Sequence, residues 1–335
     1  LSMQGFIARA GWSDARISPL AGDASNRRYD RLTLPDGTHA VLMDAPSVRG
    51  ENIRPFVQIA SFLTGIGLSA PRILAQDEAS GFLLLEDLGD DLFARLLETK
   101  PEREEVLYAA AVDALSHLHR ADPPDLPRYD AQTTTQLAAL AFDWYQFGAT
   151  GQAQKAARAD FVDAFVNLSL PLDTHPPVLI QRDYHAENLL WLPHRAGPAR
   201  VGLLDFQDAM LGHSAYDLVS ILQDARRDVS KQLEQAMISR FLDQNPQDRD
   251  IFRASYALLG LQRNLRILGV FARLSMRNGK AQYVDLIPRV WAHVKTNLKH
   301  PALSAIVPIL EDALPSPTPD ILNLLRSKCA TYPNR

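Results

Sequence analysis

The spacing of hydrophobic positions changes character near Gly89. Before it, short apolar runs are separated by turn residues. RRYDRLTL (27–34) and HAVLMDA (39–45) flank PDG (35–37), and two strand-forming runs around such a turn predict a hairpin. ARISPL (15–20) predicts a strand entering the small-residue loop GDASN (22–26). Ile53, Phe56, Val57, Ala60 and Leu63 then recur at helical spacing, and Gly65 and Gly67 close that run. PRILAQDEASGFLLLEDLG (71–89) predicts two more strands around a turn at 78–81. Residues 15–88 thus predict a small, mostly antiparallel sheet with one helix.

Beyond Gly89, segments 101–121, 134–149 and 155–169 are rich in Ala and Leu at helical period. PLDTHPP (171–177) breaks them, and short strands are predicted at 178–181, 188–192 and 200–205. From 214 onward helix follows helix, interrupted near Asn245–Pro246, Pro288, Pro301 and Pro315. The expectation is an α+β fold of two lobes: residues 1–88 as a strand-rich lobe and 89–335 as a helical one.

The most informative stretch is LIQRDYHAENLLW (179–191), a polar centre between apolar flanks. It predicts a loop held between buried strands, carrying Asp183 and Asn188. VGLLDFQDA (201–209) follows, an apolar strand delivering Asp205 at its end. Phosphoryl transfer explains this set. Its transition state is highly charged, so catalysis rests on positioning and charge neutralisation. Magnesium takes hard oxygen ligands, and one carboxylate plus one amide oxygen suffice when phosphates supply others. Asn188 and Asp205 fit that role. A further carboxylate, Asp183, can accept the proton of an acceptor hydroxyl. Asp208 reads as a turn-capping residue rather than a second ligand, and Glu187 as solvent-facing or structural.

QRDYHAEN and LLDFQDA resemble the catalytic loop and magnesium-binding aspartate motif of protein kinases, and still more the aminoglycoside-phosphotransferase family. That resemblance implies a bilobal protein-kinase-like fold, ATP as phosphoryl donor and Mg2+ as cofactor. It implies a bracing role for His185 in the loop and for Asp217 in SAYDLVSIL (214–222). It places the adenine edge against backbone groups of the linker, Glu86 to Leu88. GDASNRRYDRL (22–32), VLMDAP (41–46) and LGVFARLSMRNGK (268–280) look like the bacterial sugar kinases of cell-wall recycling, which phosphorylate the anomeric hydroxyl of N-acetylmuramate or N-acetylglucosamine.

Three positions depart from the family's pattern. Gln181 stands where a histidine is usual, Met43 stands at the register of the phosphate-binding lysine, and the helix NIRPFVQIASFL has no clear glutamate, with Glu51 just before it. A relocated positive charge is the expectation. Arg27 and Arg28 adjoin the loop, and strand alternation sends them to opposite faces; Arg28 is taken as the phosphate-binding cation. Ala24 and Ser25 are small enough for backbone N–H groups to approach phosphate.

Composition narrows the field. The chain has 335 residues, 46% hydrophobic and 22% charged, with net charge −4, an ordinary globular balance without the basic excess of a nucleic-acid binder. Cys329 is the single cysteine, which excludes an internal disulfide and fits a reducing cytoplasm. Arg9, Asp14 and Arg16 precede any long apolar run, so no signal peptide and no membrane span are expected. No nucleophile elbow or cysteine–histidine pairing supports hydrolase chemistry. In LLGLQRNLRILGVFARL (258–274), Arg266 and Arg273 run beside an apolar stripe. They are either a solvated edge or acceptor-binding groups for a sugar carboxylate. The expected partners are ATP and a small-molecule hydroxyl acceptor, with an amino sugar ahead of an aminoglycoside. A catalytically inactive nucleotide-binding protein is the third reading.

Overall fold

The computed structural model describes residues 2–20, 27–46 and 50–333. The chain divides into two compact units, Leu1–Pro124 with Gln181–Ala209, and Asp125–Ile180 with Met210–Arg335.

The first unit is built on a five-stranded antiparallel sheet in the order β1-β2-β3-β5-β4. Its strands are β1 (Arg16–Pro19), β2 (Arg28–Thr33), β3 (His39–Asp44), β4 (Ile73–Asp77) and β5 (Phe82–Glu86). The β2–β3 turn closes as its residues dictate. Gly37 sits at φ +87°, its N–H donates to the Leu34 carbonyl at 3.0 Å, and Asp36 accepts from the Thr38 N–H at 2.8 Å. Gly81 is required where β5 begins: a Cβ there would lie 2.1 Å from the Ala45 carbonyl oxygen.

Register fixes the two faces of this sheet. Tyr29 pairs with Met43, Arg31 with Val41 and Leu32 with Ala40, while Val41 pairs with Leu85 and Leu42 with Leu84. On one face Leu32, Ala40, Leu42, Phe82 and Leu84 form an apolar cluster with Phe6 and Ile7. Those two come from α1 (Met3–Arg9), whose N-terminus is capped by the Ser2 hydroxyl accepting from Gly5 N–H at 3.1 Å. The sequence reading missed this helix. Seven residues with a glycine inside are too few for a helical period, and docking on the sheet supplies the stability that propensity does not.

The same unit contains α2 (Arg54–Gly65), α3 (Phe93–Thr99) and α4 (Glu104–Leu118), plus the two-stranded pair β7 (Leu189–Trp191) and β8 (Val201–Leu203). Helix α2 starts with Pro55 in its first turn and buries Phe56, Ile59, Ala60 and Leu63, the stripe its spacing predicts.

The expected division at residue 88 is therefore not where the chain separates into compact units. Periodicity changes where β5 ends, but compactness follows packing. The catalytic segment hydrogen-bonds to α3 through Ala94 N–H and the Ala186 carbonyl at 3.0 Å, and to α4 through the Tyr184 hydroxyl and the Ala111 carbonyl at 2.8 Å. Leu203 N–H donates to the Ser69 carbonyl at 2.8 Å.

In the second unit, β6 (Val178–Ile180) pairs with β9 (Met210–Gly212), a strand not expected from the sequence. Helices α5 (Ala131–Ala138), α6 (Phe147–Thr150), α7 (Lys155–Ser169), α8 (Ala215–Leu222), α9 (Lys231–Gln244) and α10 (Arg249–Met276) make up its core with α11 (Ile287–Asn297), α12 (Val307–Ala313) and α13 (Pro319–Ser327). The 28-residue α10 runs through the apolar stripe foreseen at 258–274. Among the described residues no helix is long and apolar enough to cross a membrane.

Candidate active site

The β7–β8 ladder pairs Leu189 with Leu203, so Asn188 and Leu204 extend it and Asp205 emerges beside the catalytic loop. Leu204 N–H donates to the Asn188 carbonyl at 3.0 Å, and Asn188 N–H to the His185 carbonyl at 2.8 Å. The Asn188 side-chain amide lies at the centre of the group. Its Nδ2 donates to the Asp183 carbonyl at 2.9 Å, lies 3.3 Å from His185 Nε2, and 3.5 Å from Asp205 Oδ2. The N–H groups of this amide therefore serve the loop.

Strain marks the same place. Arg182 and Asp205 adopt φ +72° and +56°, two of three left-handed non-glycine residues among those described. Such conformations cost free energy and persist where packing over-determines them. Gln207 holds Asp205 from one side, its Nε2 donating to Oδ1 at 2.6 Å. Phe206 is fully buried and meets Phe56 of α2 with ring centroids 4.9 Å apart. Arg182 Nη1 donates to the Asp208 carbonyl at 3.2 Å, and the Asp208 side chain is exposed. Gln207 and Phe206 stand beside Asp205 in LLDFQDA, yet their contacts needed the fold.

A cavity of about 500 Å³ opens on the other face of the sheet from α1. Tyr29, Arg31, Val41 and Leu85 line it from the strands, Glu86 to Asp90 from the linker, and Asn188 and Asp205 from the catalytic segment. The size suits a nucleotide-scale ligand. Glu86 is held in place at this edge. Its N–H donates to the Arg72 carbonyl at 2.8 Å, and its carboxylate pairs with Arg195 Nη2 at 2.7 Å and Arg72 Nε at 3.2 Å. Leu88 lines the cavity as expected. Arg31, not singled out in the sequence, forks onto Asp87 at 2.6 Å and Asp90 at 2.9 Å. Hydrogen bonds from Asp90 and Asp87 push its pKa up further, and Arg31 in turn holds the Asp90 carboxyl below the usual range.

Two nucleotide-binding expectations need restating. Ala24 and Ser25 lie outside the described residues. Arg28 is on the face opposite the cavity: its Nε pairs with Asp30 at 3.0 Å, and its Nη2 lies 3.0 Å from Met3 Sδ in α1. The reason is register, since Arg28 sits opposite Asp44 on the α1 side. Arg27 takes the other face, with Nε 2.9 Å from Glu51 Oε2. Burial disfavours its charge, but Tyr29 and Glu51 more than offset this and raise its pKa.

In the second unit, Asp217 is fully buried in the first turn of α8. Arg266 Nη1 lies 3.5 Å from the Tyr216 hydroxyl, and the Arg263 guanidinium is 5.7 Å from the centre of the Tyr216 ring. Burial, then Arg277 and Arg266, lower the pKa of Arg273.

Comparison with known proteins agrees with this geometry. Residues 16–254 match the phosphotransferase enzyme family. A protein of Caulobacter vibrioides named N-acetylmuramate/N-acetylglucosamine kinase is 38% identical, over 90% of this chain and 93% of that one. The protein of that name from Pseudomonas aeruginosa is 34% identical over 91% of each chain. Choline kinase LicA from Streptococcus pneumoniae shares the fold with TM-score 0.61 and 14% identity, over 88% of this chain and 100% of that one. ADP-bound aminoglycoside phosphotransferase APH(2'')-Ib does so with TM-score 0.58 and 14% identity, over 88% and 98%.

Proposed function

This chain belongs to the phosphotransferase enzyme family, and from that premise we propose that it transfers the terminal phosphoryl group of ATP to the anomeric hydroxyl of N-acetylmuramate or N-acetylglucosamine. The observation that carries the reading is that the Asn188 amide meets the Asp183 backbone carbonyl and the Asp205 carboxylate, with Asn188 and Asp205 both lining a nucleotide-sized cavity. The names of relatives that cover most of the chain support the acceptor. The work would lie in recycling of cell-wall sugars, inside the cytoplasm.

The donor's adenine would meet backbone groups of Glu86 to Leu88, with its phosphates toward Asn188 and Asp205 at the far side of the cavity lining. The donor set fits Mg2+, because the Asn188 carbonyl and the Asp205 carboxylate are hard oxygen ligands with room for phosphate oxygens beside them. Bound there, the ion would neutralise phosphate charge and orient the terminal phosphoryl group. Asp183 accepts the proton of the sugar hydroxyl. That oxygen forms a bond to the terminal phosphorus as the bond to the bridging oxygen breaks, and ADP leaves with the electron pair. Gln207 keeps Asp205 in its rotamer. His185 and Asp217 are assigned to support of the catalytic loop.

The arginines of α10 bear on the acceptor. A carboxylate on the sugar would meet the positive charge of Arg266 and Arg273 favourably, which a cationic aminoglycoside would not. Arg266 and Arg273 are assigned to that carboxylate.

Phosphorus NMR of reactions with N-acetylmuramate, N-acetylglucosamine and an aminoglycoside is expected to show a sugar 1-phosphate and no aminoglycoside product. Asp183→Ala should lower turnover about 10²–10⁴-fold, the range for losing a positioned base, with ADP binding retained. Full transfer by that variant would reject the assignment.

A further inference from the structure

The first lysine in the sequence is Lys100, so the five-stranded sheet and α2 contain none, and the catalytic segment 181–209 contains none either. Lysine at the β3 register is replaced by Met43, which is fully buried. An arginine is the expected cation on the donor's phosphates. Five candidates among the described residues are otherwise placed. Arg182 donates to the Asp208 carbonyl. Arg95 of α3 lines the cavity and acts on Asp90 at its linker end. Arg28 lies on the α1 face with Asp30. Arg31 is committed to Asp87 and Asp90 at the linker end of the cavity. Arg54 is an exposed side chain paired with Glu78.

We propose that Arg27, held by Glu51, is the group that binds the α- and β-phosphates of the nucleotide, in place of a lysine at position 43. The inference rests on the reading of this site as an ATP site. Arg27 directly follows the loop 21–26 and precedes Tyr29, which lines the cavity. Its guanidinium and Glu51 are both mostly buried, with side chains 11% and 14% exposed and 2.9 Å apart. A guanidinium carries five donors in a fixed fork, enough to keep the Glu51 pair and still meet phosphate oxygens.

The position of Glu51 adds a coupling. It lies three residues before α2 begins at Arg54, and Phe56 of α2 stacks on Phe206, the residue after Asp205. The segment leading into α2 thus holds the proposed phosphate-binding arginine, and the first turn of α2 packs beside Asp205. A charge moved from β3 to the residue preceding β2 keeps a glutamate partner just ahead of α2. The ion-pair logic survives although an arginine replaces the lysine.

Titration calorimetry with ADP and with adenosine, each with Mg2+, tests this on the full chain. Arg27→Gln should weaken ADP about 10- to 100-fold, the range of a lost charge-assisted hydrogen bond, and leave adenosine unchanged. Arg27→Lys should recover part of the ADP affinity, and Glu51→Gln should weaken ADP while sparing adenosine. A purely structural role would move ADP and adenosine together, and that result, or undiminished ADP binding by Arg27→Gln, overturns the proposal. The acceptor plays no part in this titration, so a wrong sugar leaves the result standing. Wild-type protein that binds no ADP overturns both readings.

Discussion

Arg27 and Arg28 are consecutive residues, yet they belong to opposite faces of the same sheet. Arg28 joins Asp30 beside α1, and Arg27 joins Glu51 and Tyr29. Four residues of the cavity face, Tyr29, Arg31, Val41 and Leu85, alternate in sequence with Leu32, Ala40, Leu42 and Leu84 of the α1 face. One face is closed by hydrocarbon and its role is stability. The other is left open and lined with groups that bind. The difference teaches that a side chain's function in a strand is decided by parity, since a shift of one residue exchanges the faces.

Substitutions on the two faces should separate stability from binding. The largest effect is expected at Leu42, fully buried under α1. Leu42→Ala should cost about 2–5 kcal/mol in denaturant unfolding, with nucleotide affinity per folded molecule unchanged. A large loss of affinity without loss of stability would break the division between the faces.

A middle effect is expected at Arg31, on the cavity face. Arg31→Ala leaves Asp87, only 8% exposed, without its arginine, and should cost roughly 1–3 kcal/mol, as for a buried polar group deprived of its partner. Here nucleotide affinity should fall as well, because the linker is held by that fork. The pH dependence has a definite sign. Arg31 depresses the Asp90 carboxyl, so its contribution is complete above the unfolded value near about 3.9. It is lost as pH falls through the lower folded value. The stability gap between wild type and Arg31→Ala should therefore narrow in acid, and a gap that widened there would contradict the ion-pair account.

The smallest effect is expected at Arg28, whose side chain is 55% exposed. Because Asp30 is only 9% exposed, Arg28→Ala should cost about 1 kcal/mol, the low end for a buried polar group deprived of its partner, and leave the Michaelis constant for ATP unaltered. A marked rise in that constant would move the phosphate cation back to Arg28 and break the parity argument where it began.

Much of the molecule was legible beforehand. The hairpin announced itself through its turn residues, α2 through its helical spacing, and the family through QRDYHAEN and LLDFQDA. Asp183, Asn188 and Asp205 were singled out in those motifs, and the fold brings the last two to one cavity. Less was legible where the cause is not local. Helix α1 has no period of its own to read. Strand β9 is only three residues long and exists because β6 pairs with it. Glu51 looked stranded ahead of α2, and only folding brings it to Arg27, 24 residues away in sequence.

By itself the sequence determined which residue types are on offer, that no lysine is present before residue 100, and that a hairpin and then a helix follow the first strand. These follow from residue type and short-range period, which need no knowledge of neighbours. The tertiary structure alone decided which of two adjacent arginines joins α1, which carboxylate each one meets, and that segment 181–209 packs in one unit with the sheet. Those outcomes depend on strand register and on contacts between distant parts of the chain, where a shift of one residue reverses the answer.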